Sequence, residues 1–377
     1  MEKEAKIGVL YPQSVQYKNL GSEFMRGLKL AGLPVKFVIE GISIGADERM
    51  IIDKMQKLHL QDDIQIFVAF TGHNNIQSVY SFAEENNIIL LACDLGATLP
   101  YNSKKYKGVY INSYALNESV YLLGKYLNQK GYKSICSSAS YYDAGYGLLS
   151  ALEHAVTETG TSFSGHYITP FQPRENEPEC MEQHITATRP DVVVAFHSGL
   201  YAREHGGFIT QTSLLDKIPY YVTPFTLNGV ESKESKIGDF FIVGSWMPDN
   251  GDTKSCDFIT AYDEKYGAAP SVFAMLGYEA SLLLEAVTKS GESSYKGICK
   301  ILDNFNAKGP RGVFTIDAET NRTFFNHYIY KTIAYDETKL RFEKVATLEN
   351  GGDFLKNILQ QPAPEKLGGW HNAYLCH

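Results

Sequence analysis

The stretch Lys6-Ile7-Gly8-Val9-Leu10-Tyr11 begins a pattern in which a short apolar run is followed by a segment of helical character. The pattern continues and later starts again, with apolar runs at residues 35–39, 64–70, 88–92, 134–136, 191–196, 220–222 and 239–243. Continuous apolar runs of this length are typical of strands in a parallel sheet that helices cover on both faces. Because strands and helices alternate in two series, we predict an α/β fold with two doubly wound parallel-sheet lobes and a cleft between them.

The length and charge of the chain narrow the classes of protein to consider. A chain of 377 residues exceeds one ordinary domain core, which favours two lobes. The formal net charge of −8 argues against a nucleic-acid partner or an anionic membrane surface. The polar start at residues 1–6 lacks the apolar core of a secretory signal. We therefore expect either a cytosolic protein or an exported one whose leader has been removed.

The cysteines predict neither a zinc site nor a redox motif, since none of the six forms a C-x-x-C pair. Cys93 and Cys136 lie in or beside apolar strand ends and are expected in the core. One disulfide among the other four stays open at this point, because connectivity cannot be read from sequence. His371, Cys376 and His377 are expected in a solvated C-terminal tail, so no metal site is predicted.

Further along the chain, several stretches resemble type I periplasmic binding proteins of ABC transporters, most closely the branched-chain amino-acid (Leu/Ile/Val) binding branch. The opening strand with the helix at 21–31 carries the first likeness. The other matching stretches follow in the order of that family, at residues 146–147, 189–194, 258–267, 277–280 and 309–315.

The resemblance implies two lobes joined by three crossings near residues 111–115, 243–248 and 317–325. Lobe 1 would comprise residues 5–113 and 246–322, lobe 2 residues 114–245 and 323–361, and residues 362–377 would form the tail. It also implies a monomer that closes on a small molecule without catalysis or cofactor. Its partner would be an ABC permease or a membrane sensor, and its location periplasmic or anchored to the cell envelope as a lipoprotein.

Candidate ligand-binding residues follow the predicted strands, because ligands of such sheets bind outside the carboxyl ends of the strands. A helix that begins after Asn74 would offer free N–H groups to a carboxylate. The resemblance supports Tyr146 as a ligand contact. The predicted set is Tyr17, Phe70, Thr71, Gly72, His73, Asn74, Asp94, Leu95, Gly96, Tyr146, His197, Tyr201, Phe225 and Trp246.

The predicted cleft departs from the pattern of amino-acid binders in its charges. Leu116 or Asn117 stands where the family places an acidic residue, and residues 223–226 carry no carboxylate. An unpaired ammonium in a closed cleft would cost several kcal/mol. Because Asp94 alone remains as a counter-charge, we expect an aromatic or carboxylated solute as much as an amino-acid-like one. Core packing for Phe70 and Phe225, and an Asx cap for Asp94, stay open as structural roles.

Two other functions remain open. Gly41-Ile42-Ser43-Ile44-Gly45 matches the G-x-S-x-G elbow of serine hydrolases, and Asp191 and His197 or His205 follow in the hydrolase order. Isoleucine on both sides of Ser43 instead favours a buried turn, so a hydrolase is the minor alternative. A ligand sensor or regulator on the same fold is the other alternative.

Overall fold

Two separate β-sheets form the framework in a computed structural model that describes residues 5–72, 76–229, 240–248, 253–336, 339–364 and 369–376. The strands of the first sheet are β1 Ala5–Tyr11, β2 Val35–Gly41, β3 Ile66–Phe70, β4 Ile89–Asp94 and β5 Val109–Ser113. Their order is β2-β1-β3-β4-β5, and all pairs are parallel. We call the part of the chain built on this sheet lobe 1.

The second sheet has a parallel core and an antiparallel edge, and the part built on it is lobe 2. Its parallel strands are β6 Ser134–Ser140, β7 Ser162–Thr169, β8 Val192–Phe196, β9 Tyr220–Val222 and β10 Phe240–Gly244. A short hairpin outside both sheets follows, formed by β11 Asn306–Gly309 and β12 Gly312–Thr315. The last strands, β13 His327–Asp336 and β14 Lys339–Leu348, extend the second sheet in the order β14-β13-β10-β9-β8-β6-β7.

The antiparallel edge refines the expectation of purely parallel sheets. β13 pairs antiparallel with β10, and β14 with β13. These two strands are joined as a hairpin, so no crossover helix is needed to bring the second beside the first.

The helices fill the connections between the strands. They are α1 Leu20–Leu30, α2 Glu48–Asp62, α3 Gln77–Glu85, α4 Leu116–Gln129, α5 Leu148–Thr159, α6 Glu177–Thr188, α7 Gly199–Ile209, α8 Leu214–Lys217, α9 Thr253–Tyr266, α10 Val272–Ser290, α11 Tyr295–Asp303 and α12 Asp353–Gln360. Among the described residues, no helix has the length and apolar character needed to cross a membrane.

Local sequence explains where α2 begins and which side it buries. The Asp47 side chain accepts hydrogen bonds from the backbone N–H groups of Arg49 and Met50, which caps the helix. Ile51, Met55 and Leu58 recur at three- and four-residue steps and are buried. This spacing places the three side chains on one face of the helix.

Buried apolar side chains cover both sheets. One cluster lies beneath α2 and α3 and includes Leu10 and Val79, and another lies within lobe 2 around Val193. The largest continuous cluster runs from lobe 1 to lobe 2 and includes Tyr114 and Phe225. All six cysteines are free.

The chain passes between the lobes three times, from β5 into α4, from β10 towards α9, and from β12 into β13. Arg311 lies near all three passages, and its side chain and that of Glu279 are fully buried. Arg311 Nη2 lies 2.5 Å from Glu279 Oε2. Its Nη1 donates to Ser113 O at 2.7 Å and to Ser245 Oγ at 3.2 Å. This network links the three passages through buried hydrogen bonds.

Candidate ligand-binding cleft

The loops at the carboxyl ends of the parallel strands meet between the lobes, which is where open α/β sheets bind ligands. The Tyr17 hydroxyl of lobe 1 accepts a hydrogen bond from Gly199 N at 2.9 Å and donates to Asn228 Oδ1 at 3.0 Å. Gly147 N of lobe 2 donates to Ala97 O of lobe 1 at 2.8 Å. Because these bonds join the two lobes directly, the cleft is closed in this structure.

The last described residues lie inside the closed cleft, and we call residues 370–376 the C-terminal segment. The prediction of a solvated tail is wrong here, since Ala373, Tyr374, Leu375 and Cys376 are each at most 3% exposed. On the lobe 1 side, Ser14 Oγ donates to Leu375 O at 2.5 Å. His371 is exposed, whereas His377 lies outside the described residues.

On the lobe 2 side, the C-terminal segment contacts the loop that follows β6. Trp370 Nε1 donates to Tyr142 O at 2.8 Å, and Leu375 N donates to the Tyr142 hydroxyl at 3.1 Å. The Tyr146 hydroxyl donates to Asn372 O at 3.5 Å. The segment carries aromatic and aliphatic side chains that gain free energy by leaving water, and these bonds satisfy its buried backbone.

The Asp143 carboxylate accepts a hydrogen bond from the phenol of Tyr374 in the C-terminal segment. Its Oδ1 accepts from the Tyr374 hydroxyl at 2.7 Å and from Ser198 Oγ at 2.7 Å. Its Oδ2 accepts from Ser140 Oγ at 2.5 Å and from Ser198 N at 3.1 Å. Burial raises the pKa of Asp143 to about 6, although these hydrogen bonds act to lower it. Asp143 is therefore a carboxylate at neutral pH that accepts hydrogen bonds from hydroxyl groups.

Aromatic rings surround the same phenol. Tyr146 meets the Tyr374 ring edge-on at 4.7 Å between centroids, and Phe225 does so at 6.1 Å. Tyr142 lies parallel to it at 6.2 Å and also stacks on Tyr201 at 5.9 Å. Edge-on and offset-parallel arrangements are the favourable geometries for aromatic pairs. Three of the predicted residues, Tyr146, Tyr201 and Phe225, thus lie together in this wall.

A polar cavity of about 270 Å³ lies at the hinge beside the phenol, and its wall includes Asp94, Glu118 and Arg322. Gly72 and Asp94 border both this cavity and the space next to Tyr374. Burial raises the pKa of Asp94, against the effect of a hydrogen bond from the hydroxyl of Ser113. Burial also raises the pKa of Glu118 to about 7.

The predicted residues after β3 lie at the base of the cleft. Phe70 is buried against Phe24 and Phe273 at centroid distances of 5.5 and 6.0 Å, so much of its ring serves the lobe 1 core. Thr71 N donates to the carbonyl oxygen of Cys93 at 2.8 Å, which continues the strand pairing. Gly72 has a φ of +118°, a conformation that favours glycine. His73 and Asn74 lie outside the described residues.

The predicted residues after β4 connect lobe 1 to the start of α4. Leu95 O accepts from Leu116 N at 3.0 Å, and Gly96 O accepts from Asn117 N at 2.8 Å. The loop therefore presents its backbone to the hinge.

Two other predicted residues are buried in the interior, with partners of their own. His197 stacks on His205 at 3.8 Å, and its Nε2 lies 3.2 Å from Ser138 Oγ. Burial lowers the pKa of His197 well below its usual value, so the ring is neutral. Trp246 is fully buried, and its Nε1 donates to Ser255 Oγ at 2.8 Å.

The serine-hydrolase alternative has no supporting geometry among the described residues. Ser43 lies in the exposed turn between β2 and α2 of lobe 1, with a φ of +52°. His197 and His205 are buried within lobe 2. Asp191 Oδ2 accepts from the backbone of Lys133 and Ser134 at the opposite, amino end of that sheet. These groups therefore do not form a triad.

Tyr142 and Asp143 were not among the residues predicted from the sequence, because the apolar run that marks this strand ends at Cys136. β6 continues to Ser140, so the loop at the strand end is 141–147. The run Ser137–Ser140 is small and polar apart from Ala139, and it gives no apolar signal although it is buried. Extending the strand would have placed a carboxylate at the cleft.

Comparisons with known proteins agree with this architecture. Residues 4–336 match the family model described as "Periplasmic binding protein". An ABC transporter substrate-binding protein from Sphaerobacter thermophilus superposes with a TM-score of 0.78 at 18% identity, covering 92% of this chain and 98% of the other. No curated protein sequence matches the chain significantly.

Two further solved structures resemble the chain. A branched-chain amino-acid ABC transporter periplasmic ligand-binding protein from Burkholderia xenovorans has a TM-score of 0.73 and 16% identity, covering 92% of this chain and 95% of the other. A solute-binding protein from R. palustris in complex with 4-hydroxybenzoate has a TM-score of 0.71 and 17% identity, covering 93% and 99%. At these identities the likeness shows the fold. Because the family model matches residues 4–336, most of the chain, this chain belongs to the periplasmic binding protein family, as the sequence predicted.

Proposed function

We propose that this protein is an extracytoplasmic receptor that clamps a small hydroxylated aromatic solute between its lobes and delivers it to an ABC permease, without catalysis. The observation that carries the ligand class is Asp143, a buried carboxylate at the end of β6 that accepts a phenolic hydroxyl at 2.7 Å. Family membership supports the transport role, since members of this family serve as solute receptors of ABC transporters.

The lining of the cleft supports an aromatic solute over an aliphatic one. Tyr146 and Phe225 present ring edges to the position that a phenol occupies, and Tyr142 lies parallel to it. One structure of the same fold is described with 4-hydroxybenzoate, a carboxylated phenol, in complex. Arg322 in the wall of the adjoining polar cavity is a candidate partner for a solute carboxylate.

The lobe boundaries and the ligand contacts remain part of this proposal. We propose lobe 1 as residues 5–113 and 246–322, and lobe 2 as residues 114–245 and 323–361. Tyr17, Asp94 and Tyr146 are retained as cleft residues, and Asp143 is added. Closure follows from contact of one solute with both lobes, which favours the closed state.

Isothermal calorimetry with 4-hydroxybenzoate and benzoate tests the role of Asp143. We expect the wild type to prefer 4-hydroxybenzoate, and Asp143→Asn to reduce that preference by about tenfold or more, because a hydrogen bond to a charged group contributes about 1.5–3 kcal/mol. The ratio of the two affinities is unaffected by any other occupant of the cleft, since both solutes would displace it equally.

The matched control is Asp263→Asn on the exposed face of α9, which should leave the ratio unchanged. Equal affinity of the wild type for the two solutes would contradict the proposed ligand class. Leucine and tyrosine in the same titrations separate an aliphatic amino-acid receptor from an aromatic one.

A further inference from the structure

We propose that the C-terminal segment is a tethered occupant of the solute position, so that a solute binds only when the segment leaves the cleft. This inference rests on the proposed function. It deepens that function because it identifies the Tyr374 side chain as the stand-in for the aromatic solute.

The C-terminal segment lies between the two lobes. It is held from both sides, by Ser14 Oγ of lobe 1 on Leu375 O and by Asp143 of lobe 2 on the Tyr374 hydroxyl. The Tyr374 side chain also lies beside two loops of lobe 1, the one after β3 at Gly72 and the one after β4 at residues 94–98. A solute clamped by both lobes would contact these same loops.

The contacts of the Tyr374 side chain are those that a phenolic solute could make. The Tyr374 phenol presents a hydroxyl to Asp143 and a ring to Tyr146 and Phe225. A phenolic solute offers the same donor and the same ring. It would therefore replace both interactions when Tyr374 leaves, and Asp143 would keep a donor in the closed cleft.

The backbone of the segment has no regular secondary structure. Residues 369–376 contain neither a helix nor a strand, and they are held by individual hydrogen bonds. Leu375 has a φ of +73°, in the left-handed region that is strained for a residue other than glycine. The Tyr142 hydroxyl, which accepts from Leu375 N at 3.1 Å, helps to hold this conformation. Release of the segment would relieve that strain and would not break any regular secondary structure.

An internal occupant lowers the apparent affinity for solute, because only the fraction of molecules in which the segment has left the cleft can bind solute. If the segment is seated in about 99% of molecules, the apparent Kd of a solute is about 100 times its intrinsic value. Weakening the segment should then tighten solute binding, whereas weakening a permanent wall would loosen it. The sign of this change separates the two roles.

Cys376 provides a direct readout of the position of the segment. It is fully buried, and burial raises the pKa of its thiol to about 12, so it should react slowly with a maleimide while the segment is seated. Cys256 is exposed and should react in every state. Cys136 is buried in the lobe 2 sheet and should react only if the lobe unfolds.

The experiment compares the wild type, Tyr374→Ala and His371→Ala, each in the full chain. Maleimide labelling is followed by peptide mass spectrometry, with and without saturating 4-hydroxybenzoate, and affinity is measured by calorimetry. His371 lies in the same segment with its side chain exposed, so His371→Ala is the matched control.

We expect Tyr374→Ala to label at Cys376 at least about tenfold faster than the wild type and to bind 4-hydroxybenzoate at least about tenfold more tightly. Saturating solute should also accelerate Cys376 labelling in the wild type, with Cys136 still protected. His371→Ala should behave as the wild type.

A wild type that binds 4-hydroxybenzoate while Cys376 stays protected, with weaker binding by Tyr374→Ala, would overturn the inference and make the segment a permanent wall. That result would leave the proposed function standing. Absence of binding by both proteins, although Cys376 of Tyr374→Ala reacts as fast as Cys256, would instead contradict the proposed function and the inference with it.

Discussion

Carboxylates in two positions give the cleft its polar character. Asp143 lies at the aromatic wall with donors from Ser140, Ser198 and Tyr374. Glu118 lies at the hinge, where Asn350 Nδ2 donates to its Oε1 at 2.8 Å. Burial makes the ionised form of each carboxyl less favourable than in water, which is why the pKa of each is raised.

Glu118 should make stability depend on pH in a defined window. Its pKa is raised from 4.5 to about 7 by burial, so the folded state binds its proton more tightly than the unfolded state does. The stability that this provides is complete below pH 4.5 and is lost as the pH rises to about 7, by about 3 kcal/mol at most. Glu118→Gln, which does not titrate, should lack this loss.

The measurement is the free energy of unfolding in urea for the wild type and Glu118→Gln at pH 4.5 and pH 7. The difference between the two proteins removes the contributions of other groups, including His327, whose pKa burial lowers to about 3. The exposed Glu349→Gln is the control for a surface change of the same type. A difference that does not change with pH would contradict the assignment to Glu118.

At the level of elements, α1 and α10 approach each other through glycines. A Cβ on Gly277 would lie 2.1 Å from Phe24 O, and one on Gly27 would lie 1.9 Å from Ala274 O. No side chain fits at these distances, so the two helices are in backbone contact. This contact fixes the position of α10, which carries Glu279 to the hinge.

Gly277→Ala should therefore destabilise lobe 1. Overpacking costs about 1–3 kcal/mol, which outweighs the gain of about 1 kcal/mol in helix propensity where the backbones cannot separate. Gly207 of α7 is the matched control, because it is exposed in a helix and a Cβ there would meet nothing within 4 Å. Gly207→Ala should be neutral or stabilising in thermal unfolding. A stabilising Gly277→Ala would show that the helices move apart easily.

At the level of the whole molecule, Arg311 and Glu279 join the segments that link the lobes. Asn112 belongs to the same network, since its Oδ1 accepts from Arg311 Nη2 at 2.6 Å and from Thr323 Oγ1 at 2.9 Å. All of these side chains are buried. A buried charge without its partner is costly, so the two charges must be considered as a pair.

Arg311→Met should destabilise the protein by about 3–5 kcal/mol, because Glu279 is left charged and buried. The double variant Arg311→Met/Glu279→Leu should lose less than the sum of the single variants, which a double-mutant cycle in urea would measure. Additive losses would contradict a direct coupling between these two side chains.

The sequence by itself determined the two α/β lobes and the family. Apolar runs are local patterns, and they located eight parallel strands of the two sheets, β1–β4, β6 and β8–β10. β7 was missed because its exposed positions interrupt the apolar run. Tyr17, Tyr146 and Phe225 were predicted at the cleft because they follow strand ends or match the family. The structure places them between the lobes, and their contact with a solute stays a prediction.

Tertiary structure alone decided what occupies the cleft. The bond between Ser14 and Leu375 joins residues 361 positions apart, and no local pattern encodes a contact of that range. The sequence alone predicts that residues 370–376 are a solvated tail. The closed aromatic cavity that buries them forms only when the two lobes come together. Asp143 likewise acquires its raised pKa and its phenolic partner only after lobe 2 and the C-terminal segment have removed it from water.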